Sequence, residues 1–217
     1  MNLIIKSHDF YTVGNWEDYF PEHLTAKKVF YNNGVTPVET DTMTNTKRFN
    51  YGESEELDSQ LLELDYIGNQ ITFVIVLPKQ RNGLNSLKLI INAQSFDRAL
   101  NSMRKRNTQV SLPKFKVEKS YELMDEINPK PLALTREADF SGLTSDPQIV
   151  SKIIHKVFIE LNEKGTEAAA VTAIKMVLYS AIIPNEQMAF NADHPFLYFI
   201  RDKTNGMILF SGQINKF

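Results

Sequence analysis

Residues able to do chemistry are sparse in this chain. Its four histidines, His8, His23, His155 and His194, are scattered, and no two fall at the spacing of metal ligands on a helix or loop. Each therefore reads as structural. There is no Gly-x-Ser-x-Gly turn to present a nucleophile and no glycine-rich loop to cradle phosphate. Carboxylates such as Glu160 and Glu163 are ordinary surface types and carry no catalytic signal alone. With no cysteine, thiol catalysis, disulfides and cysteine-based zinc sites are excluded. The expectation is a protein that is not an enzyme and needs no metal or cofactor.

One stretch is nevertheless unusual: "NEKGTEAAAVTA", residues 162–173. Glu163 and Lys164 precede Gly165, Thr166 and Glu167 follow it, and Ala168, Ala169 and Ala170 lead into Val171. No proline appears before Pro184. Alanine favours a helix start, but the β-branched Val171, Thr172, Ile174 and Val177 favour a strand. A period of two puts Glu167, Ala169, Val171, Ala173 and Lys175 on one face. Thr166, Ala168, Ala170, Thr172, Ile174 and Met176 take the other. Both charges after the glycine then share a face, and the opposite face is small and then apolar. Such a segment suits a sheet centre, where every interior N–H must find an acceptor and proline is not tolerated.

The elements that must hold this stretch are mostly strands. "LLELDY" alternates like a half-buried strand, and Gly68-Asn69 turns it into "ITFVIVLP", a continuous apolar run that predicts a strand buried on both faces. "VSLPKFKVE", "IVSKIIHKVFIEL", "FLYFIRD" and "GMILFSGQI" are likewise rich in β-branched and aromatic residues. Two helices are expected, "NSLKLIINA" after Gly83 and "SFDRALNSMRKR" with Ser95 as N-cap. In the second, Arg104 to Arg106 read as cations at a helix C-terminus rather than as a basic patch. The segment "INPKPLALTREADFSGL" reads as loop. Without repeats or a linker, the 217 residues read as one α+β unit dominated by antiparallel strands.

Composition narrows the partners. A net charge of −2 gives no reason to expect nucleic acid or an anionic membrane. The N-terminal apolar patch, Leu3 to Ile5, is too short for a signal peptide, and no run approaches a membrane span.

Several segments in order carry a family resemblance. "VGNWEDYFPEHLT" (13–25), "VSLPKFKVEKSYEL" (110–123), "ADFSGL" (138–143), "SKIIHKVFIELNE" (151–163), "NEKGTEAAAVTA" and "NADHPFLYFIRDKTNGMILFSGQI" (191–214) resemble serpins, the serine protease inhibitor family. The resemblance covers nearly all of residues 1–217 and implies the C-terminal portion of a serpin domain. Helices and strands that the family carries upstream of "VGNWEDYF" are missing from it.

The fold so implied is a truncated serpin, α+β, with mostly antiparallel sheets, few helices and an exposed reactive-centre loop at about 163–184. The implied activity is suicide-substrate inhibition, and serpin loop insertion is a well-known switching transition. Glu163, Lys164, Gly165, Thr166, Glu167, Ala168, Ala169 and Ala170 would form the hinge. Counting in the family's commonest spacing from Glu163 puts the reactive bond at Tyr179–Ser180. A tyrosine there implies a chymotrypsin-like or cathepsin-G-like serine protease as partner. Lys114 would pair with Glu163 where the loop first enters the sheet, the breach, with Trp16 covering them. His155 matches the histidine of the shutter beneath the sheet, and His8 stands where the family usually has its asparagine partner. The resemblance also implies secretion. The competing expectation is a non-inhibitory truncated serpin, acting as a binding or regulatory protein or as an inactive product, and a hydrolase is a distant third.

Overall fold

The computed structural model describes residues 2–6, 10–11, 14–127, 134–135, 137–142, 149–166 and 187–217. The chain divides into two compact units, Met1–Thr12 with Lys116–Glu160, and Val13–Phe115 with Leu161–Phe217.

In the first unit the long strand β10 (Ile149–Asn162) is the organising element. Strands β1 (Asn2–Lys6) and β2 (Phe10–Tyr11) both pair with it in parallel, Phe10 opposite Val157 and Tyr11 opposite Phe158. Strand β9 (Phe115–Glu122) pairs with it as well. Lys116 lies over the Phe158 ring at 4.9 Å and reaches Glu160 at 3.8 Å. Both of its partners are on β10, so one lysine ties β9 to that strand through its charge twice.

The second unit holds the short β3 (Gly14–Asn15) and β11 (Gly165–Thr166), and an eight-stranded sheet. That sheet contains β4 (Ala26–Asn32), β5 (Thr36–Ser54), β6 (Ser59–Asp65), β7 (Ile71–Pro78), β8 (Arg104–Pro113), β12 (Met188–Asn191), β13 (Phe196–Asp202) and β14 (Ile208–Ile214). Its order is β12-β8-β5-β6-β7-β13-β14, with β4 on β5, and every pairing is antiparallel except β12 with β8.

Strand β7 shows why its sequence is apolar without alternation. Val74 and Val76 face one way, into a cluster with Leu61, Leu87, Phe96 and Ala99. Phe73 faces the other way, against Trp16, Phe115 and Tyr198. Each fully buried side chain of this size contributes about 1.5–3 kcal/mol of transfer free energy. Strand β5 is the opposite case. Its 19 residues are mostly polar, and nothing in its pattern announces a strand. It is held because its buried polar groups are satisfied: Thr40 and Thr42 meet at 3.3 Å, and the Asn45 amide donates to the Tyr19 carbonyl at 2.8 Å.

Two helices pack on this sheet, α1 (Leu84–Ile90) and α2 (Ala93–Ser102), and α2 departs from the sequence reading at both ends. The N-cap is Asn92, not Ser95. The Asn92 side chain accepts from the Ser95 N–H at 3.0 Å, and the Ser95 hydroxyl oxygen accepts from the Asn92 N–H at 2.9 Å. Ser95 is therefore the reciprocal member of a capping box. At the other end the helix stops before Met103, and Arg104, Lys105 and Arg106 begin β8 instead of forming a helix tail. Arg104 still serves the helix, donating to the carbonyls of Asn101 at 2.8 Å and Met103 at 2.6 Å.

Asn92→Ala is expected to lower stability by about 1 kcal/mol. Ser95→Ala should cost a similar amount and the double variant less than the sum, because the two residues share one motif. Midpoints of urea unfolding for the four proteins measure this directly.

Candidate functional site

The stretch singled out above begins in a turn built by its own first residue. The Asn162 carboxamide oxygen accepts from the Lys164 N–H at 3.0 Å and from the Gly165 N–H at 3.3 Å. This is the local side-chain mimicry of a turn that asparagine favours. The chain bends back on itself, so that Thr166 pairs with Leu161 and Gly165 with Asn162. On its other side β11 pairs with β3, Gly165 opposite Asn15 and Thr166 opposite Gly14.

Residues 14–20 hold the turn from outside. Three successive carbonyls are taken up: Asn162 by the Trp16 indole N–H at 3.0 Å, Glu163 by the Phe20 N–H at 2.9 Å, and Lys164 by the Trp16 N–H at 2.8 Å. Trp16 is buried and stacks on Tyr66 with ring centroids 4.6 Å apart. The Tyr66 hydroxyl meets that of Thr166, whose exposure is 0%. Burial pushes the Tyr66 phenol pKa up, so the group stays neutral and able to donate.

Two glycines permit this crossing. Gly165 has φ +152°, and a Cβ there would lie 1.9 Å from the Gly14 carbonyl oxygen. A Cβ on Gly14 would lie 2.6 Å from the Tyr66 ring. Neither position has room for a side chain.

Glu163 is the charged centre of the site. One carboxylate oxygen accepts from the Thr25 hydroxyl at 2.8 Å, and the other faces the Lys114 ammonium at 3.1 Å. Burial pushes its carboxyl up, but its own backbone N–H, Thr25 and Lys114 together outweigh that and hold it below the usual carboxylate range. The structure thus brings Trp16, Lys114 and Glu163 together, Trp16 through the residues on either side of Glu163. The pattern reading passed over four residues of equal weight here: Asn162, Thr25, Tyr66 and Gly14. Asn162 had a legible signal, an asparagine three residues before a glycine. Tyr66 had none beyond strand alternation.

Residues 8–217 match the sequence profile of the family described as "Serpin (serine protease inhibitor)". The chain belongs to the serpin family. Among serpins it is 38% identical over 216 residues to Iripin-2 of Ixodes ricinus, covering 99% of this chain and 54% of that protein. It is 34% identical to human Serpin B4, covering 98% of this chain and 55% of that one. The crystal structure of Serpin48 from Tenebrio molitor superposes with a TM-score of 0.78 at 33% identity, covering all of this chain and 56% of that one. The chain therefore spans about half the length of the serpins it matches. The α+β architecture with mostly antiparallel sheets agrees with that membership.

Other residues expected from the serpin resemblance are placed less fully. Glu167, Ala168, Ala169 and Ala170, the Tyr179–Ser180 bond and His8 lie outside the described residues. His155 lies on β10 in the first unit. His194, read as structural, is buried, with its ring nitrogens 2.6 Å from an Asp193 carboxylate oxygen and 2.7 Å from the Pro78 carbonyl.

Because the folded protein holds Glu163 below its unfolded value, its contribution is complete above about pH 4.3 and is lost as pH falls through the lower folded value. Glu163→Gln is expected to cost about 1 kcal/mol at pH 7, a modest figure because Lys114 is partly solvated. The difference between the two proteins should shrink toward zero in acid. Denaturant midpoints followed by the emission of Trp16, the one tryptophan, check both the sign and the window.

Proposed function

We propose that the protein carrying this chain inhibits a serine protease by inserting its cleaved loop into the sheet. The observation that carries the reading is β11. In the second unit, Gly165–Thr166 stands between Gly14–Asn15 and Leu161–Asn162, whereas in the first unit β2 and β10 pair directly. That arrangement supports reading Gly165 and Thr166 as the first residues of an inserted strand.

The chemistry belongs to the protease. Its serine oxygen attacks the Tyr179 carbonyl carbon, the bond to the Ser180 nitrogen breaks, and that nitrogen leaves as an amine after taking a proton. Tyr179 remains as an ester awaiting water. Insertion then competes with hydrolysis. Roughly a dozen new backbone hydrogen bonds at about 1 kcal/mol net each would drive it. The hinge composition supports speed: Thr166 is already buried, and by alternation Ala168 and Ala170 are the next side chains on its face. The proposed targets are chymotrypsin-like or cathepsin-G-like enzymes, because Tyr179 suits a deep apolar pocket. The proposed place of action is extracellular.

A cationic side chain at the next inward position would be buried as soon as β11 lengthens, at a cost of several kcal/mol. Ala168→Arg is therefore expected to convert inhibitor to substrate: loop cleavage continues while the covalent complex, read as a band stable in denaturing gels, is lost. Undiminished complex would overturn insertion at this hinge.

Mass spectrometry of the peptide released by a chymotrypsin-like protease tests the bond itself. A new N-terminus at Ser180 is expected. One after Lys175 or Leu178 removes the assignment, and turnover without any complex would favour a non-inhibitory protein.

A further inference from the structure

Strands β4, β5, β8 and β12 bring polar side chains together on one face of the eight-stranded sheet. Lys28 lies opposite Thr40, Ser111 opposite Thr44, and Asn191 opposite Ser111. Directly opposed residues share a face, and Thr42 joins them because it stands two residues from both threonines. With Asp193, just past β12, these residues border a cavity of about 210 Å³. The hinge makes no use of it, and its whole lining lies within the second unit.

Among the described residues, the polar groups of this cavity have bonding capacity to spare. Thr40 and Thr42 are buried, yet every hydrogen bond of their hydroxyls is 3.3 to 3.5 Å long. Hydroxyl bonds normally measure about 2.5 to 3.0 Å. The Lys28 ammonium donates to the Thr44 hydroxyl at 2.9 Å and to the Ser111 hydroxyl at 3.0 Å. One of its three N–H bonds is left over. Ser111 is buried and accepts from Lys28, and its own proton has no acceptor among the described residues. One Asp193 carboxylate oxygen lies 2.6 Å from His194 Nδ1, which leaves the other open. Buried polar groups are normally bonded well, so a set bonded this loosely has room for a further partner.

Size and charge select that partner. A single water needs only about 10–15 Å³ of such space, so the cavity admits a molecule of many atoms. It is smaller than the roughly 300–1,000 Å³ pockets of drug-sized ligands, which leaves one ring-sized molecule. Lys28 and Asp193 are the only ionisable residues of the lining, and their contacts are with hydroxyls and with His194. An anion drawn to Lys28 would meet Asp193, and a cation drawn to Asp193 would meet Lys28. A neutral molecule with several hydroxyls satisfies both, because each hydroxyl can donate and accept.

We propose that this cavity binds one neutral polyhydroxyl ring, a pyranose sugar, across β4, β5, β8 and β12. The site is independent of the inhibitor reading. Its consequence is mechanical. Strand β12 has four residues and, among the described strands, pairs with β8 alone. A ligand bonded to Asn191, Ser111 and Lys28 would fasten this edge strand to the strands behind it.

The probes are glucose, galactose, mannose and N-acetylglucosamine, each also as its methyl glycoside. Saturation-transfer NMR reads their binding to the protein carrying this chain. Lys28→Met and Asn191→Ala alter exposed residues, and Lys27→Met, on the opposite face of β4, is the control. Unchanged Trp16 emission and melting temperature establish folding. At least one pyranose is expected to bind, about tenfold more weakly to Lys28→Met and undiminished to Lys27→Met. Asn191→Ala should weaken binding too, and it decides the matter alone if Lys28→Met fails to fold. Amide exchange at Met188–Asn191 should slow when the sugar binds, and unchanged exchange there overturns the fastening of β12. A methyl glycoside that binds as well as the free sugar identifies the end of a glycan as the source, and its exclusion identifies a free sugar. Both results sustain the site. Absence of pyranose binding at millimolar concentration overturns the proposal, as does binding indifferent to both cavity variants. Displacement of the sugar by inorganic sulfate or by serine also overturns it, assigning the cavity to an anion or a zwitterion.

Discussion

The passage of Gly165 against Gly14 is the contact on which the turn from Asn162 to Thr166 rests. Two backbones meet where neither can carry a side chain, since one Cβ would strike the other's carbonyl and the second would strike Tyr66. Everything nearby assumes that close approach. Tyr66 reaches the Thr166 hydroxyl because Gly14 leaves its ring room, and Trp16 lies flat on Tyr66 for the same reason. The turn before Gly165 is fastened by three carbonyls in succession, so the chain is anchored up to the glycine.

The anchoring before Gly165 centres on one charge. Glu163 has a partner for each carboxylate oxygen, and those partners come from Thr25 and from Lys114, far apart in sequence. A charge so held resists displacement, because moving it would leave a buried carboxylate without its donors. Past Thr166 the sequence offers small residues on the inward face. The proposed insertion would draw on both features.

How much of this the sequence could disclose depended on which forces wrote it. Apolar runs were plain: β7, β10, β13 and β14 lie where their side chains predicted, and in β7 and β13 burial explains the compositional trace. Strand β5 was invisible, since its threonines and asparagines resemble loop residues and it is stabilised by partners from β4, β6 and β8. Helix α2 was found but misframed, because Asn92 and Ser95 are both good caps and only the reciprocal bond separates cap from third residue. The basic triplet was read as a helix end although the helix had already finished at Ser102. At the hinge, residue types suggested a central strand, but only the family resemblance related Trp16 and Lys114 to Glu163. Tyr66 and Thr25 became visible through geometry alone.

The distances along the chain between the hinge's partners have a kinetic consequence. Trp16 and Asn162 are 146 residues apart, and Thr25 and Glu163 are 138 apart, whereas β6 and β7 are joined by a tight turn at Gly68-Asn69. Closing a long loop costs more chain entropy than closing a short one, and contacts of high sequence separation form slowly. The β6–β7 hairpin and the helices beside it can assemble from neighbours, while the hinge must wait for both ends of a long excursion to meet. The long-range contacts around Glu163 therefore close last.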